Sequence, residues 1–111
     1  MIQTALTFDD VLLVPKFSSV TSRSEVDLTS KLDEDITLCL PVISSPMDTV
    51  TEVDMSVAMS KHGGLGIIHR YNSIDEQAKL VTKAKEAGAK LVGAAVGSTG
   101  DFYERASELI K

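Results

Sequence analysis

Three short segments hold the residues whose chemistry could serve a ligand or a reaction. Ser44-Ser45-Pro46-Met47-Asp48-Thr49 combines hydroxyls, a carboxylate and a thioether. A serine hydroxyl can donate a hydrogen bond to a ligand, and a methionine can lie against a flat ring as a soft apolar surface. His69-Arg70-Tyr71-Asn72-Ser73 offers an imidazole and a guanidinium. The first suits acid–base exchange or hydrogen bonding, and the second can grip a phosphate through paired N–H donors. Gly97-Ser98-Thr99-Gly100-Asp101 is a small-residue loop closed by a carboxylate. Each segment also has a plainer reading. Ser45 could cap backbone groups, Met47 could pack in a core, and His69 could make a structural hydrogen bond. Arg70 could sit in an exposed ion pair of small energetic value. On pattern alone the plainer reading leads for Ser45, Met47 and His69.

Other chemistry is excluded or demoted by composition and spacing. The single cysteine, Cys39, rules out a disulfide within the chain and points to a reducing compartment. It precedes Leu40-Pro41 in an apolar run, where a free thiol is expected to be buried and inert, and no base neighbours it in sequence. We therefore reject it as a nucleophile. No second histidine, cysteine or aspartate stands at metal-ligand spacing from His69, and His62 is read as part of a helix end. HGGLG precedes a strand and GSTG lacks the required context, so neither is a dinucleotide fingerprint or a P-loop. The net charge of -5 argues against nucleic acid. It leaves anionic small ligands open, because helix N-termini bind phosphate through backbone N–H groups. The opening MIQTALTFDD has no basic segment followed by an apolar run, and no stretch reaches transmembrane length. The expectation is a soluble, cytoplasmic protein with no nucleic-acid or membrane partner.

The three segments are placed by the elements around them. The 111 residues, 43% hydrophobic and 24% charged, suffice for one compact domain with an aliphatic core. LTFDDVLLVP and the Ser/Thr-rich FSSVTSRS read as an extended, irregular opening. EVDLTSKL and ITLCLPVISS flank the acidic turn DED and predict a hairpin leading into a strand near Pro41–Ser45. Beyond it the pattern becomes regular. A helix is expected from near Thr51, opened by a Thr49–Glu52 capping box, burying Val53, Val57 and Ala58, and closed by Gly63-Gly64. LGIIH reads as a strand buried on both faces. Ser73–Glu76 is a second capping box, opening a helix with Ile74, Ala78, Val81 and Ala84 on one face and Gly88 at its end. LVGAAVG is a third strand. Asp101–Glu104 repeats the cap pattern before a stripe of Tyr103, Ala106, Leu109 and Ile110.

Alternating βα units imply a parallel sheet with right-handed crossovers. An open doubly wound sheet and a slice of a closed barrel both fit. In either, ligands bind at the carboxyl ends of the strands, which is where all three segments fall.

LTFDDVLLVP, SRSEVDLT, PVISSPMDTVTE and GGLGIIHRYNSIDEQ together resemble the opening of the IMP dehydrogenase / GMP reductase family, across essentially the whole chain. The resemblance implies an α/β fold, a partial TIM (β/α)8 barrel. Residues 1–40 would form an N-terminal extension with a β-hairpin, and residues 41–111 the first three βα units of a single catalytic domain. It implies a homotetramer and a purine nucleotide substrate. In the dehydrogenase branch IMP is oxidised to XMP by NAD through a loop cysteine, with a potassium ion ordering that loop. In the reductase branch GMP returns to IMP with NADPH. Carried over by position, Ser45 and Met47 match residues that contact the purine nucleotide. Arg70 matches a basic residue near the dinucleotide, and Ser22 and Arg23 match a pair that reaches a neighbouring subunit's dinucleotide.

Three departures qualify the match. EAGAKLVGAAVG runs straight from the second helix into the third strand, without the regulatory CBS pair that dehydrogenases usually insert there. SSPMDTVTE is nevertheless dehydrogenase-like, and we weigh it above the missing insert. The catalytic cysteine and the potassium loop would lie beyond Lys111, so no catalytic or metal residue is assigned in this chain. An isolated 111-residue polypeptide is expected to be inactive and prone to association. A non-catalytic partial-barrel interaction module is the reading from another class.

Overall fold

The computed structural model describes residues 4–111; Met1–Gln3, the start of the expected extension, lie outside the described residues. Two strands, β1 (Ser30–Lys31) and β2 (Thr37–Leu38), pair antiparallel as the expected hairpin, though shorter than the apolar runs suggested. Asp33 builds its turn by accepting hydrogen bonds from the backbone N–H groups of Asp35 and Ile36, both at 2.8 Å. Residues 4–35 are exposed throughout. Within them, a 3-10 turn at Phe8–Asp10 is closed by Thr7 donating from its backbone and hydroxyl to the Asp10 carboxylate.

The remainder is a three-stranded parallel sheet in the order β3 (Ile43–Ser44), β4 (Leu65–Ile68), β5 (Val92–Ala94). Ser44 pairs with Gly66, and Ile68 with Ala94, so the three chains leave the sheet at one edge. The helices α1 (Val53–Lys61), α2 (Ile74–Glu86) and α3 (Phe102–Leu109) follow the strands in turn. Consecutive strands are therefore joined by helices, as parallel pairing requires.

The core lies between sheet and helices. Ile68, Val81, Ala84 and Ala89 are buried, with Val53, Val57, Leu80, Val92, Ala94 and Leu109 packed around them. Close approach of α1 to β4 depends on Gly66, where an added Cβ would stand 2.7 Å from the Cα of Ser56. Both α1 and α2 end as the glycines foretold. Gly64 N–H donates to Met59 and Gly63 N–H to Ser60, while Ala89 N–H donates to Ala84 and Gly88 N–H to Lys85. This paired pattern needs a left-handed residue after the cap, and Gly63 (φ 81°) and Gly88 (φ 96°) supply it.

Two of the three expected caps differ from the sequence reading. The Ser73–Glu76 box forms in full. The Thr49–Glu52 box does not, and α1 begins only at Val53, with Glu52 in the cap position. The chain first turns at Met47, whose carbonyl accepts from Val50 and Thr51, and this swings Thr51 inward. Ala58 is exposed and Ser56 is the buried residue of α1, because Gly66 leaves room only for a small side chain. At α3, Asp101 does not cap the helix but turns to Arg105. Tyr103 and Ile110 of the expected stripe are exposed, and Arg105 is buried instead.

Candidate functional site

The edge where the strands end gathers the three loops singled out by residue type. Behind the first loop stands Thr51, fully buried, whose hydroxyl donates to the Ser45 carbonyl at 2.6 Å and lies 2.9 Å from the Ser44 hydroxyl. The Ser45 carbonyl also accepts from the Met47 N–H at 2.8 Å. The backbone of this turn is thus held from within, while the Ser45 and Met47 side chains remain exposed. Met47 is not in the core, and the Ser45 hydroxyl has no hydrogen bond among the described residues. Among the described residues neither side chain makes the contact of the plainer reading.

For His69 it holds. The ring is 3% exposed. Its Nδ1 accepts from the Tyr71 N–H at 3.1 Å, which requires an unprotonated nitrogen there. The proton of the neutral ring then sits on Nε2, which donates to the Glu52 carboxylate at 3.2 Å. Tyr71 stacks on the ring with centroids 6.1 Å apart. This histidine fastens the start of α1 to the loop after β4. Arg70, beside it, points the other way. It is exposed, makes no side-chain hydrogen bond among the described residues, and lies over Gly97, where an added Cβ would meet its Nη1 at 3.2 Å.

Sequence reading missed the groups that tie this rim together. Gln77 is fully buried; its amide N–H groups donate to the carbonyls of Ala95 (2.9 Å) and Ile68 (3.4 Å). Its carbonyl accepts from Arg105 Nη1 at 2.9 Å. Arg105 Nη2 donates to the Asn72 carbonyl at 3.1 Å and to the Asp101 carboxylate at 2.7 Å. The Arg105 hydrogen bonds and charge, together with the field of Arg70, hold the Asp101 carboxyl below its ordinary pKa. A signal was available: Gln77 falls at helical spacing between Ile74 and Val81, on the face read as apolar.

Two other assignments fare differently. Ser22 and Arg23 lie in the exposed segment before the hairpin. There Ser22 caps a 3-10 turn at Arg23–Glu25 by accepting from the Ser24 N–H. No hydrogen bond or ion pair joins them to the rim among the described residues. Cys39 is exposed, not buried, because β2 stops at Leu38. It stands beside Gly63, before β3 and β4 begin, at the sheet edge opposite the three loops. No group of three or more potential metal ligands occurs among the described residues.

This arrangement has recognisable relatives. The protein is 58% identical over 87 residues to the inosine-5'-monophosphate dehydrogenase of Nitrosopumilus maritimus, covering 78% of this chain and 18% of the relative. It is 55% identical over 82 residues to that of Bacillus subtilis, covering 74% and 17%. It is 46% identical over 87 residues to the GMP reductase of Leishmania donovani, covering 78% and 18%. The chain thus spans less than one fifth of the length of these relatives. Residues 5–111 match the IMP dehydrogenase / GMP reductase domain. A parallel βα rim carrying the Ser45–Met47 turn, matched over nearly its whole length, places this chain in the IMP dehydrogenase / GMP reductase family.

Proposed function

We propose that this chain forms the first part of the nucleotide-facing rim of an IMP dehydrogenase, an oxidoreductase that converts IMP to XMP. The observation that carries the reading is the turn after β3. Its backbone is locked by Thr51 while Ser45 and Met47 stay free at the carboxyl edge. Ser45 would donate to the purine nucleotide and Met47 would lie against the base. Such a pair selects a flat, polar-edged ring and holds it still, which lowers the barrier through orientation. Arg70 would meet the anionic groups of the dinucleotide. Its guanidinium, without a hydrogen bond among the described residues and beside the bare Gly97 backbone, fits such a group. NAD, when bound, would take up the hydride. Ser22 and Arg23 would serve the dinucleotide of a neighbouring subunit in a homotetramer. No residue of this chain is assigned to covalent attack or to potassium, which we place elsewhere in the enzyme.

The barrel is proposed to close through βα units additional to these three, with residues 1–40 as its N-terminal extension. The cytoplasm is the proposed location; no helix among the described residues is long and apolar enough to cross a membrane. The test is an assay of the enzyme from its complete reading frame with IMP and NAD, following NADH absorbance. Turnover is expected, and its absence at saturating substrate overturns the reading. One observation favours a second reading, GMP reductase with NADPH. The chain passes from α2 to β5 through Ala87–Leu91 alone, with no inserted module. Oxidation of NADPH by GMP with release of ammonia would establish it.

A further inference from the structure

We propose that Gln77 and Arg105 act together as positioning residues that fix the seat of Arg70, and with it the dinucleotide end of the site. This rests on the reading of the rim given above. In sequence Arg70 lies between two carbonyls that the pair meets: Ile68, which accepts from the Ala95 N–H at 2.9 Å and from Gln77 at 3.4 Å, and Asn72, which accepts from Arg105. Its contact partner Gly97 follows the third held carbonyl, Ala95, by two residues. Both sides of the Arg70–Gly97 contact are therefore tied to one buried amide–guanidinium pair. Asp101 completes the arrangement, bonded to Arg105 and within the field of Arg70.

Stability alone does not call for such a pair. Burying a guanidinium sacrifices its hydration, and a well-packed apolar substitute of similar volume is commonly neutral or stabilising. What an apolar pair cannot do is bond the carbonyl at the end of β4 and those of the segments after β4 and β5 in fixed relation. A binding group whose seat is loosened must be ordered when its ligand arrives, and that cost falls on affinity for the ligand it meets.

The experiment uses the enzyme from its complete reading frame. The parent is first assayed with IMP plus NAD and with GMP plus NADPH. If neither couple turns over, the functional reading fails, and this inference falls with it. If either does, that couple is used for two variants. Gln77→Glu keeps an acceptor for Arg105 but loses the N–H donors to Ile68 and Ala95. The double variant Gln77→Met/Arg105→Met keeps the packing volume and removes every polar tie. In both, KM for the dinucleotide is expected to rise about tenfold, with kcat and KM for the purine nucleotide within about twofold. An unchanged dinucleotide KM in either variant overturns the proposal. So does a parallel loss of kcat and both KM values, or failure of both variants to fold, since each assigns the pair to the fold alone.

Discussion

Ser45 and Met47 show how a turn can present two side chains without committing them to the fold. Among the described residues the Ser45 carbonyl is engaged twice and its hydroxyl not at all. Truncating the side chains should therefore leave stability almost unchanged and act on binding. Ser45→Ala and Met47→Ala are each expected to raise KM for the purine nucleotide about tenfold, the value of one lost hydrogen bond or ring contact. Melting temperatures should stay within about 2 °C, the range of an exposed substitution in a large enzyme. Steady-state kinetics beside thermal unfolding checks both parts, and a large drop in melting temperature would return these residues to a structural role. Arg70 makes a complementary case. Gly97→Ala would push a methyl toward its Nη1 and toward the Thr99 carbonyl, 3.3 Å away. Dinucleotide KM should rise while purine nucleotide KM holds, because the displacement is confined to the Arg70 side of the rim.

Among the elements, α2 was legible almost residue by residue and α1 was not, and the difference is physical. A capping box followed by apolar residues at helical spacing and a terminal glycine encodes α2 locally, and the Ser73–Glu76 cap and the Gly88 end both form. At α1 the same local signal, Thr49 with Glu52, loses to tertiary demands. Thr51 is needed behind Ser45, and Glu52 is drawn to His69. Gln77 left a trace as a polar residue on the apolar face of α2, but its pairing with Arg105 did not, since the two stand 28 residues apart and meet only in the fold. The α2 cap also carries a pH signature. Hydrogen bonds from the Ser73 backbone and then its hydroxyl hold the Glu76 carboxyl below its ordinary pKa of 4.5. A carboxylate depressed in the folded state stabilises above the unfolded pKa, and that stability is lost as pH falls through the folded value. Acid unfolding of the parent should therefore steepen below about pH 4.5, and Glu76→Gln should flatten that part of the curve. Equal slopes for the two proteins would remove Glu76 from the account. Packing of α1 on β4 gives a sharper test. Gly66→Ala would force Ser56 outward and is expected to destabilise by about 1–3 kcal/mol in denaturant unfolding.

For the molecule as a whole, the parallel order of the strands was legible because alternating βα units permit little else. The irregular course of the first third was legible too, but not the full exposure of its apolar side chains, since LTFDDVLLVP is apolar by composition. In the structure Phe8, Leu12, Leu13 and Phe17 are almost wholly exposed. Among the described residues strand β5 pairs with β4 on one side only, so its other edge offers free N–H and C=O groups. Exposed apolar surface on this scale, together with an unpaired parallel edge, drives association unless something covers it. A polypeptide of residues 1–111 produced by itself should therefore run above monomer mass in light scattering at micromolar concentration. Replacing Phe8, Leu13 and Phe17 with serine should reduce that mass, since it removes apolar area without touching the sheet. The same polypeptide should yield no NADH from IMP and NAD, because Cys39 lies at the edge opposite the rim and cannot reach a purine held there. A stable monomer would mean that the apolar run folds back on its own sheet. Steady NADH production would mean that the chain carries a catalytic route independent of a rim cysteine. An interaction module would instead assemble to one defined stoichiometry and remain inert, so mass and turnover measured together separate the three cases.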